Sequence, residues 1–76
     1  MKPELEALLK AYDAFKQNPE GPEAARLFAI YEAMLEEASQ ATKINTETLR
    51  NAVSRFHPRW VGANLPSGFP KKLGLE

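Results

Sequence analysis

Four side chains raise the first chemical question: Arg50, Asn51, Ser54 and Arg55. They fall within "TKINTETLRNAVSRFHPRW", residues 42–60. If about residues 45–57 are helical, Leu49, Ala52, Val53 and Phe56 share one side. Glu47, Arg50, Asn51 and Ser54 then face the other way, with Arg55 at the edge. Arginine pairs with the acceptor pair of a guanine edge and asparagine with an adenine edge. Lys43, Arg55 and Arg59 suit phosphates. The six residues Lys43, Arg50, Asn51, Ser54, Arg55 and Arg59 therefore form a candidate face for a nucleic acid or another partner.

Catalytic chemistry has little to work with. The chain has no cysteine and a single histidine, His57. Thiol nucleophiles, disulfides and cysteine-rich zinc sites are excluded. Ser39, Ser54 and Ser67 have no acid–histidine pattern beside them in sequence. Glu32, Glu36 and Glu37 lack accompanying histidine spacing, so they read as a solvated helix face rather than a metal site. No glycine-rich loop suits a phosphate. His57 is expected to support a helix C-terminus, where a donor is favourable. No catalytic, cofactor-binding or metal-ligating residue is assigned, and the expectation is a protein that is not an enzyme.

The elements that must position the candidate face follow from periodicity and punctuation. Helix 1 is expected over about residues 3–17, with Pro3 in the first turn and Leu5, Leu8, Leu9, Tyr12 and Phe15 as its apolar stripe. "NPEGP", residues 18–22, ends it. Helix 2 is expected over about 22–42, starting at Pro22, with a stripe from Ala24 through Leu27, Phe28, Tyr31, Met34 and Leu35 to Ala38. Ile30 widens that stripe, while Arg26, Glu32, Glu36 and Glu37 mark the solvated side. Helix 3 is expected over about 45–57. Asn45 is its N-cap, and Ile44 and Leu49 stand at hydrophobic-staple spacing. Pro58 ends or kinks it, and "HPRW" opens one further turn. The tail, about residues 61–76, holds three glycines and two prolines and is expected to be irregular. Leu65, Phe69 and Leu73 would lay it, extended, across the bundle. The fold class is all-α: a three-helix bundle in one helical domain over residues 1–76.

Composition fits that architecture: 43% of residues are hydrophobic and 26% charged, which argues against disorder over most of the chain. The longest strongly apolar run is "LFAIY", residues 27–31, too short for a bilayer. With no secretion signal in the first residues, a cytoplasmic location without membrane contact is expected. The terminal "LE", residues 75–76, has the form of a cloning scar. Net charge is zero but unevenly spread. Residues 1–37 carry four basic and eight acidic side chains, and residues 38–76 carry six and two. Such a split either leaves a basic surface for an anionic partner or lets the halves attract each other within the fold.

Two resemblances bear on function. The stretch "ATKINTETLRNAVSR", residues 41–55, resembles a helix-turn-helix: an alanine in the leading helix, a short turn, a capping residue, then Thr-Leu and a basic helix. The resemblance implies DNA binding through helix 3, weakened steeply by salt and dependent on Arg50 and Asn51. Thr42 or Lys43 stands where such turns customarily carry glycine. Separately, "AFKQNP", residues 14–19, followed by Ala24, Leu27, Phe28 and Tyr31, is similar to the junction between two tetratricopeptide repeats. There is no second copy, so this implies a packed helical hairpin acting in protein interaction. Ile30, Trp60 and Phe69 are the candidate apolar contacts. Trp60, with Arg59 beside it and Phe56 one turn earlier, is either a stacking anchor or the closure of the core. The first expectation is a small non-enzymatic interaction module that engages an unknown protein or a second copy of itself. Reading of DNA through helix 3 is the alternative.

Overall fold

Four helices follow one another in the computed structural model: α1 (Pro3–Gln17), α2 (Ala24–Thr42), α3 (Thr46–Phe56) and α4 (Phe69–Leu73). It describes residues 1–60 and 62–75; Val61 in the tail and Glu76, half of the terminal Leu-Glu pair, lie outside the described residues. The fold is all-α, consistent with a three-helix bundle, and there is no strand among the described residues.

α1 begins at Pro3, whose missing N–H costs nothing in a first turn, and Glu4 and Glu6 complement the positive helix end. Leu5, Leu8 and Leu9 are fully buried. α2 starts at Ala24 rather than Pro22. The Ala24 N–H donates to the Gly21 carbonyl at 3.0 Å, so Pro22 sits in a tight turn. Helical bonding sets in only when Leu27 N–H reaches the Glu23 carbonyl, at 2.9 Å. The two helices run antiparallel. Tyr12 lies against Tyr31 (ring centroids 5.6 Å) and Phe15 against Phe28 (5.3 Å), so position numbers fall along one helix as they rise along the other.

The link to α3 turns on Lys43, whose φ of 63° places it in the left-handed region usual for glycine at a helix end. Local hydrogen bonds hold this conformation. Lys43 N–H donates to Ser39 O (2.9 Å), Ser39 Oγ to Ile44 O (2.5 Å) and Thr42 Oγ1 to Ala38 O (2.7 Å). Ile44 N–H in turn donates to Thr42 Oγ1 (3.3 Å). Asn45 caps α3 as its side chain implies, accepting from Glu47 N–H at 2.8 Å. Ile44 and Leu49, on either side of the cap, are both buried.

The chain after α3 departs from the sequence reading. "HPRW" opens no further helical turn: the His57–Pro58 bond is cis, and Arg59 and Trp60 adopt left-handed φ values of 53° and 61°. The tail is also less irregular than its glycines and prolines imply. Phe69 and Leu73, one helical turn apart, are both buried, and that spacing forms α4 rather than an extended strap. Pro70 fits the first turn, and Gly68 (φ 88°) and Gly74 (φ 79°) enter and leave it in the left-handed conformation. The tail does pack on the bundle, and Lys2 N–H donates to Leu73 O at 3.4 Å, joining it to the start of α1.

One apolar cluster joins all these parts. α1 supplies three leucines, α2 Tyr31, Leu35 and Ala38, and α3 Leu49, Ala52 and Val53. The chain after α3 adds Trp60, Phe69 and Leu73. In so short a chain each such side chain is worth about 1.5–3 kcal/mol of burial, so the tail is structural. Because a left-handed lysine costs about 1–2 kcal/mol, part of which glycine's extra freedom in the unfolded chain offsets, Lys43→Gly is expected to stabilise the protein by about 0.5–1 kcal/mol. A urea midpoint raised at unchanged slope is the expected result.

Candidate interaction surface

The six residues of the candidate face do not project together. Arg50 is held in a two-pronged ion pair, Nη1 to Glu32 Oε1 at 3.0 Å and Nη2 to Glu32 Oε2 at 2.9 Å. Glu47 Oε1 lies 3.8 Å from Arg50 Nε. Glu32 thus does not belong to a freely solvated face: α3 crosses α2 where the guanidinium fork meets it. Its side chain and that of Arg50 are each roughly one-third exposed, at 37% and 35%. The hydrogen bonds to Glu32 hold the Arg50 pKa above its ordinary value.

Arg59 leaves the face as well, donating from Nη1 to Glu6 Oε2 at 2.8 Å. Ser54 Oγ donates to Asn51 O one turn back, at 3.1 Å. Lys43 is exposed at the far end of the α2–α3 link. Asn51 and Arg55 are exposed, and they line a cleft of about 220 Å³ with Thr48, Ala52 and Phe56 of α3. Its opposite wall is the tail, through Pro66 and Phe69. α3 therefore presents a groove bordered by the tail, not a bare ridge. A second depression, about 380 Å³, sits at the α1–α2 turn around Asn18, Gly21 and Pro22. Its charges cancel, because Arg26 is paired with Glu23.

The three apolar candidates divide. Trp60 is 2% exposed, its Nε1–H directed at Ala52 O (3.5 Å), and Phe69 is 9% exposed. Both serve the core, and Trp60 closes it rather than standing out as an anchor. Ile30 is 40% exposed on α2, and Phe28 is 41% exposed. The two are separated by about 200° around the helix and do not share a face. Phe28 belongs to an aromatic row: Phe15, Phe28, Tyr31 (6.0 Å from Phe28) and Tyr12, ending edge-on at His57 (5.9 Å from Tyr12).

His57 occupies the C-cap of α3 and is tied further than a cap requires. Its Nδ1 accepts the Arg59 backbone N–H. Nε2 then carries the hydrogen and donates to Asp13 Oδ1 at 2.7 Å. With both ring nitrogens engaged, the pair ties the end of α3 to α1. Among the described residues no three metal-ligating side chains come together. No helix there is long and apolar enough to cross a membrane.

The fold defines a small all-α domain of three packed helices with a short fourth. Compared with family models, curated proteins and solved structures, the chain matches none. The sequence reading missed Pro66 as a wall of the cleft and the Asp13–His57 link. For the wall, the four-residue spacing of Phe69 and Leu73 was the available signal; for the link there was none, because it spans 44 positions.

Two outcomes follow from this geometry. Arg50→Ala is expected to destabilise the fold, and a double-mutant cycle with Glu32→Ala to give a coupling of about 1 kcal/mol, reduced by salt. No coupling in urea unfolding would mean the fork is ornamental. Burial raises the Tyr31 phenol pKa, with Glu32 and Tyr12 adding to it, against an opposing pull from Arg50. A folded value above the unfolded one, about 10, keeps this contribution whole below that pH and removes it as pH rises through the folded value. Stability is therefore expected to fall as pH rises above about 10, and to fall less in Tyr31→Phe.

Proposed function

We propose that the chain is a small non-enzymatic interaction module that engages another protein through the groove between α3 and the tail. The observation that carries this reading is the shape of the α3 outer face. A helix of about 10–12 Å diameter already fills a major groove about 12 Å wide. A tail facing Asn51 and Arg55 across the cleft leaves little room for the same helix to enter DNA. Two further arginines needed by a DNA-reading surface, Arg50 and Arg59, are committed to Glu32 and Glu6. A groove with an apolar floor and a polar rim suits a protein segment better than base edges.

A photoreactive phenylalanine analogue placed at position 51, activated in the protein's native cells, tests this directly. Protease-sensitive adducts are expected from position 51 and not from the exposed position 16 on α1. Nuclease-sensitive adducts would favour reading of DNA by α3. Equal labelling at both positions, or none, would remove the proposal.

A further inference from the structure

We infer that the α3–tail cleft receives an extended acidic peptide segment bearing one aliphatic side chain, an assignment that rests on the interaction-module reading. The cleft follows one stripe of α3: Thr48, Asn51, Ala52, Arg55 and Phe56 succeed each other at three- and four-residue steps or close to them. From Thr48 to Arg55 it is about 10 Å long, the reach of roughly three extended residues. Its volume, about 220 Å³, is below the ~300–1,000 Å³ usual for a small-molecule site. It holds one side chain and the backbone around it.

The chemistry is divided along that length. The floor is apolar: Ala52, whose small side chain leaves the space open, with Phe56 and Phe69 beside it. An aliphatic side chain placed there is removed from water against carbon on several sides. Asn51 stands on the rim, and no hydrogen bond among the described residues engages its carboxamide. A carboxamide offers a donor and an acceptor, so it can pair with both the N–H and the C=O of an extended chain. Arg55 is the charged residue of the lining and joins none of the ion pairs among the described residues.

Charge decides what the segment carries. No carboxylate lines the cleft. The nearby acids Glu32 and Glu47 are drawn to Arg50. Lys71 and Lys72, both exposed, follow Phe69 along α4 but do not line the cleft. Arg55, the charged residue of the lining, therefore favours an acidic residue beside the aliphatic one and offers its fork to that carboxylate.

The probe is acetyl-Glu-Glu-Leu-Glu-Glu-amide, titrated into the full chain and followed by amide resonances. Saturating shifts are expected at Thr48, Asn51, Arg55 and Phe69, with a millimolar or tighter Kd. Replacing the peptide's leucine with glycine is expected to weaken it about tenfold. Arg55→Glu should weaken the acidic peptide about tenfold or more and favour the lysine-for-glutamate counterpart, while Asn51→Ala, also at an exposed position, weakens both. The assignment is overturned by no saturating shift up to about 10 mM, by equal binding of the acidic and lysine peptides, or by an indifferent Arg55→Glu. It is overturned too if duplex DNA moves the same resonances more tightly than the peptide. If the peptide fails while position 51 still crosslinks to protein, this assignment falls and the interaction reading stands. If the crosslinks fail as well, both fall.

Discussion

The fork between Arg50 and Glu32 is the contact on which the rest of the surface depends. α1 and α2 form a hairpin that local sequence explains almost alone: two apolar stripes, a Pro/Gly turn and antiparallel register. The placement of α3 is a different problem, because an eleven-residue helix has one narrow apolar face and little else to orient it. Leu49, Ala52 and Val53 bring it to the hairpin, and the planar guanidinium fixes how it is turned there. His57, bonded to Asp13, holds the other end. With α3 tied to α2 near its middle and to α1 at its C-cap, its outer residues acquire fixed positions.

The same contacts show what becomes of the uneven charge. Arg50 to Glu32 and Arg59 to Glu6 both run from the basic half of the chain to the acidic half. Much of the apparent basic surplus is thus satisfied inside the fold. Exposed pairs of this kind contribute little energy, typically below about 1 kcal/mol each. Their larger effect is selective: they withdraw two arginines from any external ligand and leave Arg55 without an internal carboxylate. A surface can therefore be locally basic on a chain whose formal net charge is zero.

Legibility in the sequence followed the range of the interaction. The boundaries of α1, the Asn45 cap and the Ile44–Leu49 staple depend on neighbours within a few positions, and they were readable. So was burial of the inward face of α3. The start of α2 was misplaced by two residues because Pro22 suits a tight turn as well as a first helical turn. α4 was hidden by glycines and prolines that break longer helices but frame a five-residue one. Glu32 and Arg50 lie 18 positions apart, and neither residue advertises the other. Consequently the six candidate residues, grouped by sequence on one segment, could not be sorted there into paired and unpaired side chains.

That sorting changes what kind of ligand the surface suits. An arginine already forked to a carboxylate can serve an outside anion only by giving up two good hydrogen bonds, so the competition is lost unless the newcomer offers the same geometry. Asn51 and Arg55 face no such competition among the described residues. The tail beside α3 forms the wall of a groove. Trp60, Phe69 and Leu73 are buried because a chain this small needs their apolar area, and the groove is a by-product of where Phe69 and Pro66 then lie. Core formation and the shape of the groove are coupled here through the tail: a segment seated in the groove, as proposed, would contact Phe69, a residue the core also requires, and so brace the segment that closes the fold.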